Sequence, residues 1–322
     1  MSPAKSGESR EGVPLTNLDQ PLFAGAGVTK RDLVDYLDGM SDRILPELSD
    51  RPLSVIRVMR GDDSFMQKNV PKYTPDFVKT VPFWAETSKR EVNYALCNDR
   101  RTLLWFANQR AVEYHPTLVR AEHPDHLTHL VLDLDPPEGG GGFAAAVAAA
   151  RLVRQVLADL GLECVVKTSG AKGVHVFVPV DEAVPLEDSA AATRAIAERA
   201  ATLDPAIATT AFMKEDRGGK VFVDATRVGG STVVAAFSPR VRPGVPVSFP
   251  VRWDDLDSIT PGDFTVLNAL AQLDSVGPWL ADVPAGQALS AELIEVGKAI
   301  SPGRVQAMHE GKRRARTRRS ED

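Results

Sequence analysis

Apolar positions along this chain change period repeatedly, and the changes predict strands and helices in alternation. Pro52-Leu53-Ser54-Val55-Ile56-Arg57-Val58-Met59 reads as a strand, residues 129–135 as a second, and 163–168 and 174–180 as two more. Two short ones are predicted at 220–224 and 232–237. A helical period covers 100–113 through Leu103, Leu104, Phe106, Ala107 and Val112. An Ala-rich helix is predicted at about 143–160 and another over 187–203, ended by Asp204-Pro205. Thr29 stands where an N-cap belongs, ahead of Lys30-Arg31-Asp32-Leu33. Trp253 to Leu256 predicts a helical turn, Thr260 a capped start, and residues 290–300 a last helix. Residues 61–82, rich in Gly, Asp, Lys, Asn and Pro, predict a surface loop region. Such alternation without an internal repeat indicates an α/β or α+β protein.

Three segments follow from the same pattern. Residues 1–14 carry Ser, Gly, Pro and mixed charge without periodicity, which predicts a disordered extension. Residues 15–309 form the folded domain, and 310–322 a basic tail containing Lys312, Arg313, Arg314, Arg316, Arg318 and Arg319. That tail is read either as a solvated end or as a contact to a phosphate backbone.

Composition narrows the class. The 322 residues suffice for a substantial core. No apolar stretch reaches membrane-spanning length and no signal-peptide core is found, so the cytoplasm is the expected location and no membrane partner is expected. Cys97 and Cys164 stand alone, which argues against a disulfide framework and a cysteine zinc site. The net charge of −5 excludes a uniformly basic coat but leaves room for a local basic groove.

The chemistry starts at His129-Leu130-Val131-Leu132-Asp133-Leu134-Asp135-Pro136-Pro137. On a strand, residues two apart share a face, so both carboxylates leave the sheet together, and the prolines stop the ladder. Paired carboxylates repel unless a cation lies between them, and hard divalent ions take such oxygens. Dehalogenase-type phosphatases and metal-dependent glycosyltransferases also carry Asp-x-Asp. Farther on, Lys167-Thr168-Ser169-Gly170-Ala171-Lys172-Gly173 places a Gly-x-x-Gly turn with a hydroxyl and a lysine between apolar strands, as a triphosphate cradle or an ordinary hairpin turn. Val221-Phe222-Val223-Asp224 delivers a third carboxylate; three could hold two metal ions, with Arg217, Arg240 and Arg242 neutralising a transferring phosphate. Phe65, Lys68, Lys72, Tyr73, Phe77 and Lys79 interleave aromatics with lysines, as base stacking beside phosphates requires or as a loop with buried anchors shows. His123-x-x-His126-x-x-His129 reads as a solvated loop rather than a zinc site, and Lys214-Glu215-Asp216-Arg217 lacks the glycine of a ligase adenylation motif.

Seven segments in order resemble one family. They are residues 15–19, Glu113-Tyr114-His115, residues 132–136, residues 167–176, residues 221–224, Ser238-Pro239-Arg240-Val241-Arg242-Pro243-Gly244 and Arg252-Trp253-Asp254-Asp255-Leu256. Together they resemble the polymerase domain of bacterial ligase D, within the archaeo-eukaryotic primase superfamily, across about residues 15–300. The resemblance implies a two-lobed α/β primase fold with an RRM-like catalytic module. It implies a primase-polymerase that adds nucleotides, ribonucleotides preferred, to a primer 3′-hydroxyl at gaps or ends of broken duplex DNA. Asp133, Asp135 and Asp224 would hold two divalent ions, Mn²⁺ or Mg²⁺. His115, Ser169, Lys172, His175, Arg217 and Arg240 would contact the incoming NTP or dNTP. Lys30, Phe65, Lys68 and Lys72 would meet DNA.

Two positions depart from the family. Gln20 stands where a lysine usually follows the Asn-x-Asp segment, and that lysine, with the one matching Lys30, binds the downstream 5′-phosphate in the family. Phe65-Met66 replaces a pair of phenylalanines. With no ligase or phosphoesterase segment beside it, the chain resembles a stand-alone, monomeric version that works at the bacterial nucleoid with a separate DNA ligase and Ku or other repair proteins. The rival expectations are a catalytically idle DNA-end scaffold that recruits a ligase, and a dehalogenase-type phosphatase.

Overall fold

A computed structural model describes residues 7–59, 63–85, 90–138, 142–228 and 232–302. Ser9–Arg10 (β1) pairs antiparallel with Val13–Pro14 (β2), so order begins upstream of residue 15, against the disorder expected over 1–14; residues 1–6 lie outside the described residues. Long-range contacts override the polar composition. Val13 is buried, and the Arg10 guanidinium pairs with Glu8, Asp35 and Asp38.

Lys30–Gly39 (α1) starts at the expected cap: Asp32 N–H donates to Thr29 Oγ1, while Thr29 N–H donates to the Asp32 carboxylate at 2.7 Å. Then come Ser41–Leu48 (α2), Leu53–Val58 (β3), Ser64–Gln67 (β4), Thr80–Ala85 (β5), Arg90–Ala95 (β6), Arg100–Asn108 (α3) and Ala111–Pro116 (β7). β4, β3, β6 and β5 lie in that order in one sheet, with β7 also on β3. The loop expected over 61–82 therefore contains β4 and the start of β5. The helix expected over 100–113 stops at Asn108, because Arg110 turns to a φ of 60° and residues 111–116 gain a strand partner in β3.

The second half holds Val119–Arg120 (β8), His123–Leu127 (β9), His129–Asp135 (β10), Gly142–Asp159 (α4), Val165–Thr168 (β11), Val174–Pro179 (β12), Leu186–Leu203 (α5), Ala208–Thr209 (β13), Val221–Asp224 (β14), Pro250–Val251 (β15) and Ala291–Ala299 (α6). Its sheet runs β13-β14-β10-β12-β11-β15, antiparallel except between β13 and β14. α4 and α5 pack on this sheet and α6 packs on α5. His123–Leu127 is a hairpin strand on β8, not a loop, and its histidines diverge: His123 is exposed, His126 half-buried and His129 buried beside Phe177.

The strand expected at 232–237 is absent; only Thr232 makes a bridge, to Thr117. This segment instead ties the sheets together. Val233 and Ala235 donate to the carbonyls of Pro116 and Tyr114, Tyr36 Oη donates to Phe237 O at 2.7 Å, and Tyr114 N–H donates to Ser238 Oγ at 2.9 Å. One apolar cluster runs through both sheets. No helix among the described residues is long and apolar enough to cross a membrane.

Candidate active site

Strand register assembles the centre. On β10, Asp133 lies opposite Asp224 of β14 and opposite His175 of β12, and His175 lies opposite Lys167 of β11. Directly opposed residues share a face, so Asp224, Asp133, His175 and Lys167 form a row across four strands. Asp135, two residues beyond Asp133, projects from the same face. Leu130, Leu132 and Leu134 alternate with them and are buried on the other.

Cations surround the carboxylates. Arg227 donates Nε and Nη2 to Asp133 Oδ2 at 3.1 and 2.9 Å, and its Nε lies 3.4 Å from Asp224 Oδ2. Asp133 Oδ1 faces His175 Nε2 at 3.2 Å, and Asp224 Oδ1 accepts Thr226 N–H at 2.7 Å. Asp135 pairs with Lys172 Nζ and Arg217 Nη1, each at 3.2 Å. Arg217 is pinned further by the carbonyls of Ala211 and Phe212 and lies 4.1 Å over the Phe222 ring.

Burial and charge set the protonation states. Burial would raise the Asp133 carboxyl, but His175 and Arg227 outweigh it and hold the group well below the usual carboxylate range. Burial raises the Asp224 carboxyl, and the charge of Asp133 adds to that rise. Burial, with Lys167 behind it, pushes His175 down to about 4, which leaves a neutral ring at pH 7. Lys167 Nζ lies 2.9 Å from His175 Nδ1 and also donates to Ser248 Oγ. With Nδ1 accepting from Lys167, the imidazole proton sits on Nε2 and points at Asp133.

The Gly-x-x-Gly turn has a packing reason. Gly170 adopts a φ of +66°, and a Cβ on Gly173 would stand 2.3 Å from Leu134 O, so the turn hugs β10 only without a side chain there. Ser169 Oγ accepts N–H from Ala171 at 3.2 Å and Gly173 at 3.0 Å. These two amides therefore close the turn and leave Ser169 buried, while the Lys172 side chain, 40 % exposed, reaches the Asp135 carboxylate.

A second charged cluster borders the turn. Glu113 Oε2 meets His115 Nε2 at 2.8 Å and Arg240 Nε at 3.1 Å, while its Oε1 accepts Val241 N–H at 2.8 Å. Burial opposes ionisation of Glu113, but His115, Arg240 and that amide prevail and hold it at about 2. Arg240 also donates to Ser169 O, which links this cluster to the turn. The structure thus brings these residues into three clusters along one turn and strand: Asp133, Asp224 and His175 with Arg227; Asp135 with Lys172 and Arg217; and His115 with Glu113 and Arg240, which reaches Ser169 O.

The four expected DNA contacts lie elsewhere. Phe65 projects from β4, 42 % exposed, with Arg57 5.7 Å from its ring centroid. It borders a groove of about 410 Å³ with Met66, Lys68 and Arg90, and Lys72 is exposed nearby in sequence. Lys30 is different. It is 2 % exposed, donates to Thr16 O and Asn108 Oδ1 at 2.6 Å each, and burial pushes its ammonium down to about 8.

Residues 29–279 match the primase-polymerase domain family of LigD. The chain belongs to that family. As a LigD-type primase-polymerase domain it is a DNA-directed nucleotidyltransferase with the archaeo-eukaryotic primase-like fold. The bifunctional non-homologous end joining protein LigD of Bacillus subtilis is 32 % identical over 296 residues, covering 89 % of this chain and 47 % of that protein. The multifunctional non-homologous end joining DNA repair protein LigD of Mycobacterium tuberculosis H37Rv is 35 % identical over 262 residues, covering 77 % of this chain and 34 % of that protein. The chain thus spans between a third and half of these relatives. The polymerase domain of Mycobacterium tuberculosis ligase D in complex with DNA superposes with a TM-score of 0.77 at 32 % identity, covering 86 % of this chain and all of that one. The family assignment removes the dehalogenase-type reading of Asp-x-Asp.

Within this LigD-type centre the donor set suits a hard divalent ion, being three carboxylates with one neutral imidazole beside them. Among the described residues no three acidic, histidine or cysteine side chains converge on one point, and Arg227 stands between Asp133 and Asp224 instead. Sequence reasoning missed Arg227, Lys167, Ser248 and the anchoring role of Glu113. Lys167 had a visible signal, a lysine inside the apolar strand Val165-Val166-Lys167-Thr168. Arg227 had a weaker one, its position three residues after Asp224.

Proposed function

We propose that this LigD-type domain is a template-dependent primase-polymerase that extends a primer 3′-hydroxyl at gaps or ends of duplex DNA in non-homologous end joining, and that it prefers ribonucleotides. The observation that carries this reading is the juxtaposition of Asp133, Asp135 and Asp224 on one sheet face, ringed by Lys172, Arg217 and Arg227. Nucleotidyl transfer needs carboxylates for metal and fixed cations for a triphosphate, and both are present. In this reading Asp133, Asp135 and Asp224 hold two divalent ions, Mn²⁺ or Mg²⁺, which when bound lower the pKa of the attacking hydroxyl and neutralise the triphosphate.

The chain's own groups do the rest. Lys172, the Ser169 hydroxyl and Arg217 bind the triphosphate, and Arg240 with His115 borders it from the Glu113 side. His175, held by Lys167, orients Asp133 through its Nε2 proton. Phe65, Lys68 and Lys72 meet the DNA, stacking on a base and contacting phosphates. A DNA ligase activity seals the product, with Ku or other end-binding proteins as partners at the bacterial nucleoid.

The test is extension of a labelled primer on a gapped duplex, with ribonucleotides or deoxyribonucleotides and with Mn²⁺ or Mg²⁺. Template-directed addition with ribonucleotides preferred is expected. Binding to DNA without incorporation under every condition would instead make the protein an end-binding scaffold.

A further inference from the structure

Two arginines serve the carboxylates, and they are tethered very differently. Arg217 holds Asp135 while two backbone carbonyls and the Phe222 ring fix it, and its side chain is 13 % exposed. Among the described residues Arg227 has no such anchors: it pairs with Asp133 and Asp224, and its side chain is 41 % exposed. The other oxygens of those aspartates are taken, Asp133 Oδ1 by His175 and Asp224 Oδ1 by Thr226 N–H. The two Oδ2 atoms are the ones Arg227 contacts, and a cation held by both aspartates would compete with the guanidinium for them.

Resting on the reading of this centre as a metal-dependent polymerase site, we propose that Arg227 gates it. The guanidinium holds Asp133 and Asp224 together in the empty enzyme and opposes a divalent ion entering alone. An arriving triphosphate offers the displaced Arg227 a new anionic partner, so ion and nucleotide enter together. Two cations competing for the same carboxylate oxygens exclude each other, and a polyanion relieves the exclusion by binding both. The consequence is an enzyme that does not hold a reactive metal centre open in the absence of nucleotide.

The experiment measures Mn²⁺ binding by the paramagnetic resonance signal of free Mn²⁺, without nucleotide, for the wild type, Arg227→Ala, Arg227→Gln and Asp133→Asn. Circular dichroism checks that each is folded. Both Arg227 variants are expected to bind Mn²⁺ roughly tenfold tighter than the wild type, and Asp133→Asn weaker. In a second measurement at saturating Mn²⁺, a fluorescent non-hydrolysable ribonucleoside triphosphate is expected to bind both Arg227 variants several-fold more weakly. Unchanged nucleotide-free Mn²⁺ affinity in both folded Arg227 variants, with Asp133-dependent binding intact, overturns the gate and leaves the metal site standing. Mn²⁺ binding indifferent to Asp133→Asn overturns the reading of the site itself, and the gate with it.

Discussion

Asp133 and Asp224 face each other across the β10–β14 pairing and share one guanidinium, that of Arg227. Two carboxylates that are far apart in sequence thus become one anionic site. Each lies near the end of a strand whose apolar residues hold it in place.

Replacing Asp133 and Asp135 together with alanine should abolish primer extension, by at least about a thousandfold, because no other carboxylate on the strand substitutes for them. The thermal midpoint should fall by a few degrees, since Arg217 and Arg227 lose their carboxylate partners, while the chain stays folded at the assay temperature. Extension assays beside a melting curve check both halves. Residual extension within tenfold of the wild type would contradict the assignment.

Glu113 gives a pH signature. Its carboxyl stands at about 2 in the folded chain against an ordinary 4.5, so the folded state binds its proton less readily than the unfolded state. The stability it contributes, about 3 kcal/mol, is fully present above about pH 4.5 and is lost as pH falls toward 2. Urea unfolding across that window should show a shallower acid loss in Glu113→Gln than in the wild type. The variant should also be less stable at pH 7, because Arg240 loses its buried carboxylate partner.

Gly173→Ala should destabilise the protein and reduce extension together. The new Cβ would stand 2.3 Å from Leu134 O, on the strand between Asp133 and Asp135. Relief requires moving either the turn or the strand, at a cost of about 2–4 kcal/mol. Ala171→Gly, in the same turn without that collision, is the control and should retain extension.

The downstream 5′-phosphate should matter little. Gln20 carries no charge, and Lys30 spends its ammonium on Thr16 O and Asn108 Oδ1. Extension across a short gap with and without that phosphate should differ by less than about threefold, and Gln20→Lys should raise the dependence to roughly five- to tenfold. A strong phosphate effect in the wild type would show that Lys30 leaves its buried position.

Much of this protein was written locally. The Thr29 cap, the Ala-rich helix of α4 and the Asp-Leu-Asp strand β10 each depend on a few neighbouring residues, through capping groups, side-chain entropy and strand alternation. They formed within a few residues of expectation. Local pattern failed where distant partners intervened. β7 begins inside a helical period because β3 offers it a ladder, and the first residues fold because Asp35 and Asp38 hold Arg10.

The site divides in the same way. The sequence by itself determined the identity of the carboxylates, the glycine turn and the order of motifs, because strand alternation and turn chemistry follow from adjacent residues. Only the tertiary structure decided that Asp224 pairs beside Asp133, that Lys167 stands behind His175, that Lys30 turns inward and that Arg227 fills the space between two aspartates. Those are matters of strand register and packing across long stretches of chain. Electrostatic partners within a few ångströms are chosen by the fold, which local pattern does not reveal.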